Sequence, residues 1–396
     1  MPITPPVMLW ENKSMSDQDL MSGRQLNSAS DALSDADLIS FMASSGSQEE
    51  GMRREQIRRL LTCRGELQEQ LFRQAAETRR RHLGDEIKLR GVIEISNFCQ
   101  KGCDYCAMRS KNSALSRFRL DAQTVLSAAG SIADAGITTI FLQSGQDPRC
   151  DPLLEEVIPA ISDLGAEVLL NVGERSPETY RHFARLGARS FILKFETSDE
   201  AQYERIAHGP LHRRIDCMRW IREAGMKIGT GNIIGLPDQS IDSLVSDICL
   251  SLDFRPDFAS CAPFIPNQGT PLQELPCGDL MLTLNTMAIL RLGLPEALIP
   301  AVSALEYIHE RGQMMGLLAG ANVMTVNFTP RYYRKHYNIY ANDRFIVTLN
   351  HAINTARAAG LRINADVMDR MAWHLSGRQN KLERNINGES VCGKQS

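Results

Sequence analysis

An α/β fold, a (β/α)8 TIM-type barrel with N-terminal helices, is predicted by three features of this 396-residue chain. Short apolar runs recur at residues 88–96, 137–143, 166–173, 189–195, 226–234, 257–265, 298–303 and 321–326. Helical patterns fill most of the gaps, at 121–135, 152–164, 177–186, 212–224 and 241–253. The 43% hydrophobic fraction is enough for a sizeable core. A strand–loop–helix repeat calls for a parallel sheet with helices outside it, and eight runs suffice to close a barrel. A long connection, 271–294, interrupts the alternation before the last two runs.

In chain order, residues 1–48 read as a flexible N-terminal extension, rich in Ser, Asp and Met with prolines at 2, 5 and 6. Within it, 34–43 could form a short helix capped by Ser34. Residues 49–86 form an N-terminal helical segment, with Ile57, Leu60, Leu61, Leu67 and Leu71 on one apolar stripe. Its arginines (53, 54, 58, 59, 79, 80 and 81) are interspersed with Glu49, Glu50, Glu55, Glu66 and Glu69. They read as a solvated helix face rather than an anion-binding surface. The barrel occupies 87–376, and 377–396 is a polar C-terminal tail.

A net charge of −3 gives no bulk attraction to nucleic acid or to an acidic membrane. No apolar run reaches membrane-spanning length. The first apolar patch, 7–10, is short and has no basic residue before it, unlike a signal peptide. Ten scattered cysteines fit a reducing compartment, so a cytoplasmic protein is expected.

One tight group of cysteines stands out. Cys99, Cys103 and Cys106, at C-x3-C-x2-C spacing, follow directly on the first apolar run. A closed zinc site needs four ligands, usually in two pairs, and 87–149 holds no fourth Cys or His. A disulfide would leave one thiol over. Three thiolates in eight residues can hold three corners of a 4Fe–4S cubane. The remaining iron is then open to a small molecule with nitrogen and oxygen donors. In a barrel the chemistry sits at the C-terminal ends of the strands, where this loop falls.

Other strand ends add candidates. Gln143-Ser144-Gly145-Gln146-Asp147-Pro148 follows the second run. A Gly there lets backbone approach a ligand whose ammonium or carboxylate its N–H and C=O groups can bind, or it makes an ordinary Gly-Pro turn. Glu196 ends the fourth run. It can accept two hydrogen bonds from ribose hydroxyls, or it can lead into a helix capped by Thr197 with Glu200 three residues on. Arg213 and Arg214 follow, each able to fork onto a carboxylate or to sit at the surface. The fifth run, Gly229-Thr230-Gly231-Asn232-Ile233-Ile234-Gly235, imitates a dinucleotide fingerprint. Its G-x-G-x-x-x-G spacing and its place within a strand argue against one. Its glycines would instead let an adenine ring lie against the backbone. Tyr332, Tyr333, Tyr337 and Tyr340 could line a polar pocket or pack half-buried.

Taken together, these residues resemble the radical S-adenosylmethionine (SAM) superfamily, in its HydE-like branch, which is related to biotin synthase and methylornithine synthase. The similarity runs from about residue 71 to 361. It rests on Gly84-Asp85-Glu86, Ile93-Glu94-Ile95-Ser96-Asn97, the cysteine loop and Leu142-Gln143-Ser144-Gly145. Further on it rests on Glu196-Thr197, Gly235-Leu236-Pro237, Pro263-Phe264-Ile265-Pro266, Gly320-Ala321-Asn322-Val323 and Asn327-Phe328-Thr329-Pro330. The resemblance implies a radical SAM enzyme that carries one 4Fe–4S cluster on Cys99, Cys103 and Cys106. Tyr105, Ser144, Gly145, Glu196, Arg214 and Ile233 would hold SAM. The implied reaction is reductive cleavage of SAM to a 5′-deoxyadenosyl radical. That radical would act on a small polar substrate in metal-cofactor (hydrogenase-type) maturation, or drive a mutase or group-insertion reaction on an amino-acid-like molecule.

A reductant such as flavodoxin or ferredoxin is the implied partner, with no nucleic acid and no membrane. A substrate pocket deeper in the barrel would be lined by Ser303, Thr325, Asn327, Thr329 and Tyr333, which are small, polar or hydrogen-bonding. The chain departs from the branch at Ala107 (usually Gly), Gln146 (usually Glu), Lys194-Phe195 (usually Arg-His) and Glu306-Tyr307-Ile308-His309-Glu310 (usually small residues). The accessory-cluster cysteines of some relatives are missing, and Cys392 stands alone.

Overall fold

A computed structural model describes residues 50–339 and 344–372. The expected extension at 1–48, the polar tail, Tyr340 and Cys392 lie outside the described residues.

Two helices come first, α1 (Glu50–Thr62) and α2 (Glu66–Leu83). They bury Ile57, Leu60 and Leu61 of the predicted stripe from α1 and Leu71 from α2, with Phe72 and Ala75 beside them, while Leu67 is partly buried. The arginines of α1 are more engaged than a solvated face requires. Arg53 reaches Asp253 at 2.8 Å, and Arg58 pairs with Asp242.

The barrel then alternates as β1 (Glu86–Ser96), α3 (Ala122–Asp134), β2 (Thr139–Ser144), α4 (Asp151–Asp163), β3 (Glu167–Asn171), α5 (Pro177–Leu186) and β4 (Ala188–Ile192). It continues as α6 (Glu200–Ala207), α7 (Leu211–Glu223), β5 (Lys227–Ile234), α8 (Ile241–Phe254), β6 (Phe258–Pro263) and α9 (Leu280–Gly293). The last elements are α10 (Ser303–Ile308), α11 (Gly312–Leu318), β7 (Val323–Asn327), α12 (Arg331–Arg334), α13 (Leu349–Ala358) and β8 (Arg362–Ile363). Asp121, Ser176, Asp199, Ser240 and Asp279 start α3, α5, α6, α8 and α9, each accepting the N–H three residues on. The cap of α6 is thus Asp199. Thr197 instead accepts the N–H of Asp199.

The strands pair in parallel in the order β6-β5-β4-β3-β2-β1-β7, a curled sheet flanked by helices. The expected seventh strand, 298–303, is not one. Leu298 makes an isolated bridge to Phe258 and Pro300 to Val323, spanning from β6 to β7. Pro300 has no N–H to extend a ladder, and α10 begins at Ser303. The expected eighth strand is β7. The two-residue β8, not anticipated, pairs with the start of β1.

Inside the curl, Val92, Phe141, Leu169, Ile192 and Phe258 form a small apolar cluster separate from the main core. They come from β1, β2, β3, β4 and β6. The missing strand, β5, contributes Gly229, where a Cβ would meet Ile192 Cγ1 at 2.7 Å and Phe258 Cβ at 3.0 Å. This layer floors the cavity above it.

Candidate active site

The cysteine loop leaves the C-terminal end of β1 and is held by groups that are not cysteines. The Arg117 guanidinium donates to the carbonyls of Asn97, Met108, Arg109 and Asn112 at 2.6–3.1 Å. Buried Asn97 donates to the carbonyls of Ser116 and His336 and accepts the Phe118 N–H. Cys99 Sγ accepts the N–H groups of Lys101 and Gln146 at 3.4 and 3.3 Å. At Gly145 a Cβ would lie 2.2 Å from Phe98 O and 2.7 Å from Cys99 Cβ. The close approach that Gly145 permits is therefore to the cysteine loop itself.

All three cysteines line one cavity, together with Tyr105, Ser144, Gly145, Glu196, Arg214 and Ile233. Burial pushes the Cys103 thiol up to about 11, and that of Cys106 further. Metal binding must displace those protons. Among the described residues no three His, Cys, Asp or Glu side chains converge on a single-ion site. A cubane asks for something else, since each thiolate holds a different iron at the rim of a wider cluster. Three unbonded thiols around one end of a cavity fit that demand.

Glu196 sits just past β4 in the left-handed region, at φ 66°. Its N–H donates to Gly231 O and its carbonyl accepts the Ile233 N–H, which joins the ends of β4 and β5. Lys194 Nζ lies 3.1 Å from Glu196 Oε2, yet among the described residues that buried oxygen has no aligned hydrogen bond. An acceptor so placed suits a hydroxyl-bearing ligand.

Buried Arg214 pairs with Glu174 at 2.9 Å, reaches Tyr203 Oη at 2.9 Å and donates to Lys194 O at 3.3 Å. Burial would raise the Glu174 carboxyl, but Arg214 and Lys101 hold it below the usual range. Arg213 is exposed and 3.7 Å from the same carboxylate, so only Arg214 of the two faces the cavity. Of the glycines in the fifth run, Gly229 lines the cavity, and Gly231 and Gly235 do not. A Cβ at Gly231 would strike Ser260 O at 1.6 Å, and one at Gly235 would strike Gly278 Cα at 2.4 Å. They let neighbouring backbone close up.

Ser303, Thr325 and Asn327 line the deep part of the cavity. Thr329 and Tyr333 do not. Thr329 Oγ1 accepts the Glu94 N–H, and Tyr333 stacks on Phe118 with ring centres 5.2 Å apart. Asn327 is committed internally, donating to Glu94 Oε1 and accepting the Thr329 N–H. The centre of this wall is a buried pair that residue-by-residue reading missed, Glu94 and Arg344. Arg90 donates to Thr325 Oγ1 at 2.6 Å, and the buried Tyr337 Oη has no hydrogen-bond partner among the described residues. β1 carries four charges, of which Glu86 and Lys88 are exposed at its start, and Arg90 and Glu94 are the two that are buried.

A curled parallel sheet flanked by helices, with a three-thiol loop over a cavity of apolar and charged side chains, defines an α/β enzyme. The chain belongs to the radical SAM superfamily, whose family model matches residues 93–248, and it is a SAM-cleaving enzyme of that superfamily. It is 36% identical over 274 residues to the [FeFe] hydrogenase maturase subunit HydE of Thermotoga maritima, covering 69% of this chain and 79% of that one. It is 30% identical over 275 residues to the 3-methylornithine synthase of Methanosarcina acetivorans, covering 68% and 77%. In fold it is similar to the crystal structure of methylornithine synthase (PylB), with a TM-score of 0.71 and 20% identity over 84% of this chain and 99% of that one. The maturase HydG from Carboxydothermus hydrogenoformans follows at TM-score 0.68 and 22% identity, covering 85% and 81%. Among the described residues no helix is long and apolar enough to cross a membrane.

Proposed function

We propose that this enzyme carries out a radical rearrangement or group insertion on a small amino-acid-like substrate. In this reading Cys99, Cys103 and Cys106 hold a 4Fe–4S cluster, and Tyr105, Ser144, Gly145, Glu196, Arg214 and Ile233 hold SAM. When bound and reduced, the pair supplies a 5′-deoxyadenosyl radical. The chain's own part would be to hold the substrate C–H within reach of that radical and to exclude water. The Glu196 carboxylate accepts hydroxyl hydrogens, and Arg214 presents positive charge toward a carboxylate.

The observation that carries the reading is the deep wall of the cavity. It sets cations (Arg90, Arg344), a carboxylate (Glu94) and hydrogen-bonding groups (Ser303, Thr325, Tyr337) beside apolar side chains (Val92, Phe141, Ile192, Phe258). A ligand with ammonium, carboxylate and a short aliphatic stem matches that pattern of charge. The two 3-methylornithine synthases and the biotin synthases among the relatives support it.

A second reading, maturation of a hydrogenase-type metal cofactor, is favoured by the 36% identity to HydE. In either case a reductant such as flavodoxin or ferredoxin is the expected partner.

The test is to incubate the reduced enzyme with SAM and perdeuterated α-amino acids. Deuterium appearing in 5′-deoxyadenosine, together with faster SAM cleavage, identifies an amino-acid substrate. Label transfer only from a cysteine-bound iron complex would favour the second reading.

A further inference from the structure

We propose that Asp247 is a positioning residue for SAM: its carboxylate clips the ends of β4 and β5 into the register that turns Glu196 and Ile233 toward the cavity, so that SAM binds tightly only while Asp247 is ionised. The proposal rests on the reading of Glu196 and Ile233 as SAM contacts.

Asp247 lies on the inner face of α8, fully buried, behind the cavity wall rather than on it. Its Oδ1 accepts both the N–H and the Oγ–H of Ser198, each at 2.6 Å. Its Oδ2 accepts Asn232 Nδ2 at 3.0 Å and Gln239 Nε2 at 3.3 Å. Gln239 in turn accepts the Gly235 N–H at 2.7 Å and donates to Ile233 O at 2.9 Å. One carboxylate therefore ties the residue two after Glu196 to the residue just before Ile233.

Such a clip is needed because Glu196 holds a left-handed backbone, which a non-glycine residue adopts only when its surroundings enforce it. The Glu196 N–H to Gly231 O bond of 3.0 Å and the Ile233 N–H to Glu196 O bond of 2.8 Å depend on that conformation.

The groups around Asp247 make the clip sensitive to its charge. Three of its four donors are amide N–H groups, which can give a hydrogen but not accept one. A protonated carboxyl would turn an O–H toward them. Burial, with Asp199 nearby, pushes this carboxyl up to about 6, against the pull of its hydrogen bonds.

Among the described residues its hydrogen-bond donors are all neutral. On β5 the sole charge is Lys227, at the opposite end of the strand. On α1, Arg53 and Arg58 are taken by Asp253 and Asp242, and Arg54 by Ser246. Arg291 of α9 is held by Gly320 and Asn322, and Asp238 by Arg205.

The experiment is equilibrium dialysis of labelled SAM against the reconstituted enzyme between pH 7.5 and 5.5. With Asp247 titrating near 6, about a quarter of it stays ionised at pH 5.5, so the wild-type apparent Kd should rise about fourfold. Asp247→Asn should bind SAM about fivefold or more weakly at pH 7.5 and show no such step. Asn232→Ala removes a donor to the carboxylate and should move the wild-type midpoint upward.

Wild-type affinity in Asp247→Asn, or the wild-type pH step in that variant, overturns the proposal. If Asp247→Asn fails to take up iron, the midpoints of wild type and Asn232→Ala decide, and identical midpoints overturn it. Glu196→Ala separates the two layers. If it binds SAM as wild type does, the reading of the site fails and the clip with it. If it weakens SAM while Asp247→Asn does not, only the clip fails.

Discussion

Arg344 grips Glu94 with both terminal nitrogens, 2.7 Å from Oε1 and 2.8 Å from Oε2, across 250 residues of sequence. Glu94 is 1% exposed, so the pair is cut off from water in the wall of the cavity. Breaking a buried pair on one side costs about 3–5 kcal/mol, because the other charge is left uncompensated. Arg344→Ala should lose stability of that order in urea denaturation, and the pairwise replacement Glu94→Gln with Arg344→Met should recover much of it. A loss below about 1 kcal/mol would mean that the pair behaves like a surface ion pair.

The pH dependence of that loss has a definite sign. Burial raises the Glu94 carboxyl, and Arg344, Thr329 and Asn327 pull it back. A carboxyl whose folded pKa exceeds its unfolded value favours the fold when protonated and loses that contribution as pH rises. Without Arg344 the rise is larger. The deficit of Arg344→Ala should therefore be greatest near neutral pH and shrink on acidification, as urea midpoints at several pH values would show. A deficit that grows toward acid would reverse this account.

Arg117 joins four carbonyls of the loop that carries the cysteines. Arg117→Ala should reduce iron uptake on reconstitution to less than half of wild type. Arg117→Lys should rescue little, because an ammonium cannot reproduce the planar fork. Full iron content in both variants would show that the loop folds without this staple.

Gly145→Ala should be damaging out of proportion to one methyl group. The added Cβ would meet backbone oxygen and Cys99 Cβ rather than the end of a flexible side chain. Overpacking of this kind costs about 1–3 kcal/mol. The expected result is a lowered melting temperature with poor cluster incorporation, and a variant indistinguishable from wild type on both counts would contradict the packing.

Glu196→Gln and Arg214→Ala should spare the cluster and weaken SAM binding. Hydrogen bonds to charged groups are worth about 1.5–3 kcal/mol, which corresponds to roughly 10- to 150-fold in affinity. Equilibrium dialysis of labelled SAM checks this, and unchanged affinity in both variants would remove these residues from the site.

Much of this was legible in the chain itself. The periodic apolar runs located seven of the strands, and the cysteine spacing located the mouth of the cavity. The run at 298–303 misled because apolar content does not reveal that Pro300 cannot extend a ladder or that a helix begins at Ser303. Gly145 and Gly231 stood out as glycines, but spacing alone could not tell a ligand's approach from that of neighbouring backbone. Thr329 and Tyr333 were chosen for their polarity. Only the packing shows one supporting Glu94 and the other stacked on Phe118. Arg344 and Asp247 act through partners far away in sequence or in a neighbouring layer, and no local pattern marks such residues.

The most direct test of the central claim is anaerobic reconstitution followed by reduction in the presence of SAM. The account predicts about four iron and four sulfide per chain, as a cubane on three thiolates requires, together with release of 5′-deoxyadenosine. Both should be abolished by changing Cys99, Cys103 or Cys106 to Ala. Stoichiometric zinc without iron, or an intact cluster that never yields 5′-deoxyadenosine, would contradict it.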